Sequence, residues 1–279
     1  MAKSSRTKSL SSGRPGISKS APPKLSARAG RTIIRSHHQL NKALDAALRT
    51  GDSAKAEQLR TQINEQGGLS SYQHASLLGQ SDERGGDSSR VLVDWMKTRI
   101  EDRKSPLRVL EVGALSISNA CSRWKMMDVT RIDLHSQQPG IAQQDFMDRP
   151  LPATSEDKFD VISLSLVLNY VPDKEGRGRM LQRTCAFLND AATNQAQEWQ
   201  ACLFLVLPAP CVLNSRYMTE QHLIAIMQAL GYRLLEQKTT SKLHYSLWSL
   251  ASKPHVQQIH IKRREVNPGP SRNNFSVVL

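Results

Sequence analysis

Gly113, Asp133 and Asp145 are the residues on which chemistry could turn, because each closes a short apolar run and their intervals suit one pocket. The run LRVLEV ends at Glu111-Val112-Gly113, where Glu111 is a candidate cofactor residue and the glycine lets the backbone approach a ligand with no side chain in the way. Asp133 follows twenty residues later in RIDLHS, the spacing at which a carboxylate reaches a ribose hydroxyl from the neighbouring strand. Twelve residues further, QQDFMD offers Asp145 to accept from an exocyclic amine and Phe146 to lie against a purine face. A fourth run, SLSLVLNYVP, supplies Ser163, Ser165 and Leu166 as a pocket floor, and Ala114 stands beside the glycine. Each feature alone also fits a plain turn, a helix cap or a solvated side chain. Four strand ends in order point to a nucleoside-type cofactor bound at the carboxyl edge of an open sheet.

Which cofactor follows from what is missing. A pyrophosphate needs close backbone approach and several N–H groups at a helix N-terminus, and GALSISN offers one glycine. NAD and FAD are disfavoured, whereas S-adenosylmethionine carries no phosphate and tolerates the looser loop. The chain has no G-x-x-x-x-G-K-[ST], G-x-S-x-G or H-E-x-x-H, so nucleotide hydrolysis and the common hydrolase chemistries lack support. On the acceptor side stand Asn169, an amide to hydrogen-bond, and Tyr170, an aromatic to stack; equally, they fit a helix cap and a buried helix residue. In PAPCVLNSRY, Asn214, Arg216 and Tyr217 are candidate RNA contacts, with Asn214 and Ser215 alternatively capping the next helix. Cys211 suits either a covalent nucleophile or a structural role. The four cysteines form no C-x-x-C pair, and the histidines, His37-His38 included, lack ligand spacing, so no metal site is expected.

The elements that must position these residues alternate. Candidate strands are 107–112, 129–134, 159–165, 202–207, 231–238 and 243–250, with a weaker one near 141–145. Helices are expected near 117–124, 174–188 and 219–230. This pattern predicts an α/β fold: a mostly parallel, Rossmann-like seven-stranded sheet ending in an antiparallel hairpin, the order of the class I methyltransferase fold. It occupies 105–252. Before it, 36–104 reads as a small helical region. Leu40, Ala43, Leu44, Ala47 and Leu48 share one face there, followed by Ala56, Leu59 and Ile63 and by a third helix near 88–102. Residues 1–44 carry ten Lys/Arg and no acid, and 253–279 carry five basic residues against Glu265, leaving a nearly neutral body between. Residues 1–35 are expected to be a disordered basic leader and 253–279 a basic tail. Such tails suit nucleic acid, whose phosphates they neutralise without reading sequence, although a merely solubilising leader also fits. Arg and Ser enrichment fits a mitochondrial transit peptide, but Pro15, Pro22 and Pro23 would break its helix, which favours a nuclear address. No run approaches the ~20 apolar residues of a membrane helix.

The segments LEVGALSISN, RIDLHS, QQDFMDRP, VISLSLVLNYVPD and LFLVLPAPCVLNSRYMT, with GGLSSYQHAS upstream and RNNFSVVL at the end, resemble the fungal 25S rRNA adenine-N(1)-methyltransferase family. The likeness runs from about residue 30 to the C-terminus with no clear departure from the core motifs. It implies S-adenosylmethionine as donor, methylation of one adenine at N1 in large-subunit rRNA during ribosome biogenesis, and a nucleolar location. By position, Gly113 and Asp133 match the family's cofactor residues, with Asp145 and Phe146 as adenine contacts. An animal branch resembles a non-catalytic S-adenosylmethionine sensor acting through protein partners. A sensor has no need of basic tails, and neither does a small-molecule or protein methyltransferase. The substrate form, free rRNA or precursor particle, and the oligomeric state stay open.

Overall fold

The computed structural model describes residues 26–68, 71, 86–136, 138–190, 200–252 and 261–279. Seven strands build one sheet: β1 Leu107–Val112, β2 Met127–Asp133, β3 Ala142–Gln143, β4 Val161–Ser165, β5 Cys202–Pro208, β6 Tyr232–Thr239 and β7 Leu243–Leu250. Their order is β3-β2-β1-β4-β5-β7-β6. Neighbours from β3 to β5 are parallel, and β7 runs antiparallel to both β5 and β6. This is the class I methyltransferase fold expected from the sequence. The chain lays β2 and β3 to one side of β1, then returns to place β4 on the other. Strand order therefore reverses between β1 and β4, and in open α/β sheets the ligand crevice lies at that point.

The helices are α1 Ala27–Arg49, α2 Ser53–Glu65, α3 Ser89–Lys97, α4 Ala120–Arg123, α5 Lys174–Phe187, α6 Pro210–Leu213 and α7 Glu220–Ala229. Capping side chains fix several starts: Asp52 accepts from Lys55 N, Asp173 from Gly176 N and Thr219 from His222 N. Strands covered on both faces read as continuous apolar runs, and Cys202 through Leu207 of β5 are all buried. One face packs Leu110, Val112, Leu164 and Leu205 against Leu181 of α5 and Leu223 and Met227 of α7. The other packs Val109, Phe204 and Val206 against Leu92 and Met96 of α3.

Several boundaries differ from the sequence reading. Helix α1 begins at Ala27, inside the stretch expected as a disordered leader, with Ser26 Oγ accepting from Ala29 N at 3.1 Å. Residues 1–25 of that leader, and most of GGLSSYQHAS, lie outside the described residues. The α1–α2 hairpin buries Ala47, Ala56 and Leu59 with Leu40, Ala43 and Leu44 packed on them, but Leu48 is 51% exposed. Helix α3 belongs to the sheet and not to a separate helical region. The β1–β2 crossover contains only the four-residue α4, too short to cover its face, and α3 covers it with Leu92 and Met96 fully buried and Trp95 edge-on to Phe204 at 6.0 Å.

The segment expected as a basic tail is docked as well. Phe275 and Val277 are buried in the α5/α7 core, and the backbone of Val278 donates to Lys174 O of α5. Gly178 leaves the space this needs, since a Cβ there would stand 1.8 Å from Val278 O. Charge dominates the reading of that segment, while its final FSVVL is apolar.

Candidate functional site

At the β1 exit, Gly113 has φ +74°, and a Cβ placed on it would lie 2.7 Å from Val167 Cγ2 just past β4. Its N–H, and that of Ala114, donate to Ile132 O of β2 at 2.8 and 3.1 Å. The glycine is therefore required on two counts, a left-handed backbone and close approach by the β4 exit. Across the switch point, Leu166 takes φ +60°, the one positive value of a non-glycine among the described residues. Left-handed backbone costs such a side chain about 1–2 kcal/mol, and Leu166 N donating to Val206 O at 2.9 Å helps to hold it. Strain of this kind gathers where a site over-determines the backbone. The two sides of the crevice are thus one glycine and one strained leucine.

Around them the structure sorts the expected residues. Asp133 closes β2, its Oδ1 accepting from His135 N at 2.8 Å. Ser163 is buried within β4 between Glu111 and Phe204, and Ser165 Oγ pairs with Ser88 Oγ at 2.7 Å. Ala114 is buried beside Gly113. Asp145 lies past the two-residue β3 in a turn, where its Oδ1 accepts from Met147 N at 2.7 Å. Phe146 corrects the sequence reading: it is 2% exposed, packed on Phe187 at 5.3 Å with the Arg183 guanidinium 5.8 Å from its ring. It is a core residue, and its faces are taken by protein. Asn169 and Tyr170 sit in the turn after β4, with Tyr170 N donating to Val167 O and Asn169 Oδ1 buried without a partner.

Glu111, a candidate from the sequence, lies in a layer beneath the crevice whose other members, Asp87, Ser89 and Asn119, sequence reasoning missed. Glu111 accepts from Asn119 Nδ2 at 2.6 Å. Burial pushes its carboxyl up to about 7, with Arg131 opposing and Asp87 reinforcing the shift. Asp87 Oδ2 takes the backbone N–H of Ala120, Ser89 Oγ that of Cys121 at 3.1 Å, and Asn119 Oδ1 that of Ser122 at 3.1 Å. Asp87 and Ser89 sit some thirty residues upstream of α4, so no local pattern announces them. Leu134, adjacent to Asp133 in the chain, adds apolar surface at 60% exposure, and Ile117 lies 3.2 Å from where a Cβ on Gly140 would stand, at 41%.

This layer tests the cofactor. The N–H groups at the start of α4, where a pyrophosphate would bind, already donate to a carboxylate, a hydroxyl and an amide of the protein. The residues do not fit a phosphate-bearing cofactor. They fit S-adenosylmethionine, which carries no phosphate for those N–H groups to bind.

On the acceptor side, Asn214 and Arg216 are used differently from the RNA contacts expected of them. Arg216 Nη2 donates to Gly269 O at 2.8 Å, and Asn214 Oδ1 accepts from Arg272 Nη1 at 3.3 Å. Asn273 Nδ2 donates to Pro210 O at 2.6 Å and Asn214 O at 2.9 Å. Both residues fasten the C-terminal segment. Tyr217 lies beneath the Arg263 guanidinium, 3.5 Å from the ring centroid. Cys211 is intermediate in exposure, and burial pushes its thiol up to about 12, which disfavours a nucleophilic thiolate. Among the described residues no cluster could hold a metal, and no helix is long and apolar enough to cross a membrane.

A 25S rRNA (adenine(2142)-N(1))-methyltransferase of Saccharomyces cerevisiae is 40% identical over 222 residues, which cover 79% of this chain and 63% of that protein. A 25S rRNA adenine-N(1) methyltransferase of Schizosaccharomyces pombe is 38% identical over 255 residues, covering 89% of this chain and 90% of its own. Among solved structures, the Bradyrhizobium japonicum N-methyltransferase NodS with S-adenosyl-L-homocysteine matches at TM-score 0.41 and 13% identity, over 64% of this chain and 99% of that one. The strand order and directions define the fold without it. Residues 57–277 match the model of the family described as 25S rRNA (adenine(2142)-N(1))-methyltransferase, Bmt2, and the chain belongs to that family.

Proposed function

We propose that the protein methylates N1 of an adenine in large-subunit rRNA, with S-adenosylmethionine as donor, and that it acts in the nucleolus during ribosome biogenesis. The carrying observation is the switch-point crevice between Gly113 and Leu166, whose α4 donors are closed to phosphate. Family membership and the relatives' names supply the acceptor. No observation favours the non-catalytic sensor.

When bound, S-adenosylmethionine supplies an electrophilic methyl group. Adenine N1 attacks with an in-plane lone pair and the product is cationic, so no strong general base is needed. The chain's task is then to position the base and exclude water. Gly113 leaves room at the β1 exit, and Asp133 would accept from the donor's ribose hydroxyls. Asn169 offers a buried carbonyl oxygen without a partner, a state that costs about 1–3 kcal/mol. The 6-amino group of an adenine is a donor that would satisfy it while leaving N1 unencumbered. Because N1 is paired within a helix, the target must be unpaired or flipped out.

The test uses purified protein, labelled S-adenosylmethionine and a large-subunit rRNA. Label should enter the RNA, and reverse transcription should stop at a single adenine, since N1 methylation blocks pairing. Label entering at N6, or none entering while the donor binds, contradicts the reading.

A further inference from the structure

We infer that Lys262, Arg263 and Arg264 form a fixed cationic ridge on the acceptor side of the crevice that grips the phosphates flanking the target adenine. The inference rests on the proposed RNA substrate and says where that RNA lies.

All three residues are exposed, and among the described residues no ion pair engages them. Glu265, the neighbouring acid, is turned toward Arg216, 3.7 Å from its Nε. The positive charge of this stretch therefore faces solvent with no ion pair among the described residues, on a chain whose body is nearly neutral.

The ridge is held at both ends. Just before it, Ile261 and Leu279 exchange both backbone hydrogen bonds at 3.2 Å. Just after it, Val266 N and Asn267 N donate to Arg216 O at 2.9 and 3.1 Å. Leu279 is in turn anchored next to buried Phe275 and Val277, while Arg177 Nη1 donates to Ser276 O at 2.8 Å and its guanidinium lies 4.7 Å from the Phe275 ring. Arg177 Nη2 also reaches Pro172 O at 3.3 Å, in the loop that carries Asn169 and Tyr170. The same segment thus ties the β4 exit to the β5 exit, and both lie at the carboxyl edge that Gly113 occupies.

Fixing cations before binding removes part of the ordering cost of gripping a phosphate chain. Arg263 is fixed furthest, stacked 3.5 Å from the Tyr217 centroid. A guanidinium plane over an aromatic is also a surface on which an unpaired base stacks. An acidic protein partner would use the charge but not this stacked platform beside the crevice, which is why RNA is the occupant argued for.

The test replaces the ridge (Lys262→Ala, Arg263→Ala, Arg264→Ala) and, as an equal-charge control, Lys97→Ala, Lys104→Ala, Lys125→Ala. Lys104 and Lys125 precede β1 and β2, at the opposite edge of the sheet. Binding of a large-subunit rRNA fragment is followed against salt, with KM for RNA, kcat and S-adenosylhomocysteine affinity measured in parallel. Each phosphate contact on a single strand contributes roughly 0.7 to the slope of log K against log salt. The ridge variant should lose about 2 from that slope and raise KM for RNA about tenfold or more, with kcat and S-adenosylhomocysteine affinity unchanged. The control should match wild type. A ridge variant with wild-type slope and KM overturns the inference, and so does a control that weakens as much. Wild-type protein that binds RNA with this slope pattern but transfers no methyl group would sink the proposed reaction while leaving the ridge standing.

Discussion

Replacing Gly113 with alanine puts two separable strains on the crevice. The backbone at φ +74° would have to hold a side chain in the left-handed region, at about 1–2 kcal/mol. The new Cβ would also stand 2.7 Å from Val167 Cγ2, and turning Val167 off its rotamer costs about 0.5–1.5 kcal/mol. Together these come to about 1.5–3.5 kcal/mol, and binding that needs the native loop loses that much. At about 1.4 kcal/mol per tenfold, S-adenosylhomocysteine should bind roughly 10- to 300-fold more weakly by calorimetric titration. Val167→Ala in the same chain separates the two parts, because Val167 Cβ lies 4.0 Å away, an ordinary contact. The double variant should regain about threefold to tenfold and retain the backbone portion. Wild-type affinity and thermal stability in Gly113→Ala would refute the reasoning. A double variant no better than the single one would remove the clash from the account.

Glu111→Gln should change how stability responds to pH. The folded protein keeps the Glu111 proton up to about 7, whereas an ordinary carboxyl releases it near 4.5. The folded state thus holds an extra proton across that window, and stability falls as pH rises through it by roughly 3 kcal/mol. Urea unfolding at pH 5 and pH 8 should show the glutamine variant nearly free of that loss, and an unchanged difference contradicts the assignment. Gly178→Ala should expel the C-terminal segment, since its Cβ would overlap Val278 O. Exposing Phe275 and Val277 then costs about 3–6 kcal/mol, and limited proteolysis should trim the C-terminus while wild type resists. Cys211→Ala should retain methyl transfer within about threefold, and the folded protein's thiols should react slowly with a thiol reagent at pH 8, because burial holds Cys211, Cys121 and Cys202 near 12. Rapid labelling of Cys211 would reopen covalent chemistry.

The sheet was legible because strands buried on both faces write themselves as apolar runs, and β1, β5 and β7 match their sequence ranges closely. Gly113 and Asp133 were legible because spacing alone sets them on adjacent strand ends. What escaped depends on contacts between distant segments. Asp87 and Ser89 cap α4 from far upstream. Phe146 offered an aromatic next to an acid, and only packing on Phe187 reveals that the ring belongs to the core. Asn214 and Arg216 have the polarity of RNA contacts, yet the C-terminal segment claims them. That segment was obscured by its own charge, because a basic run and an apolar end average to an unremarkable tail.

The most direct measurement is mass spectrometry of large-subunit rRNA nucleosides from cells lacking the gene, complemented with the intact protein or with Asp133→Ala. The account predicts that 1-methyladenosine falls on deletion, returns with the intact protein, and stays low with Asp133→Ala because the donor is no longer held. Unchanged 1-methyladenosine on deletion, in cells whose protein binds S-adenosylmethionine, would contradict the central claim.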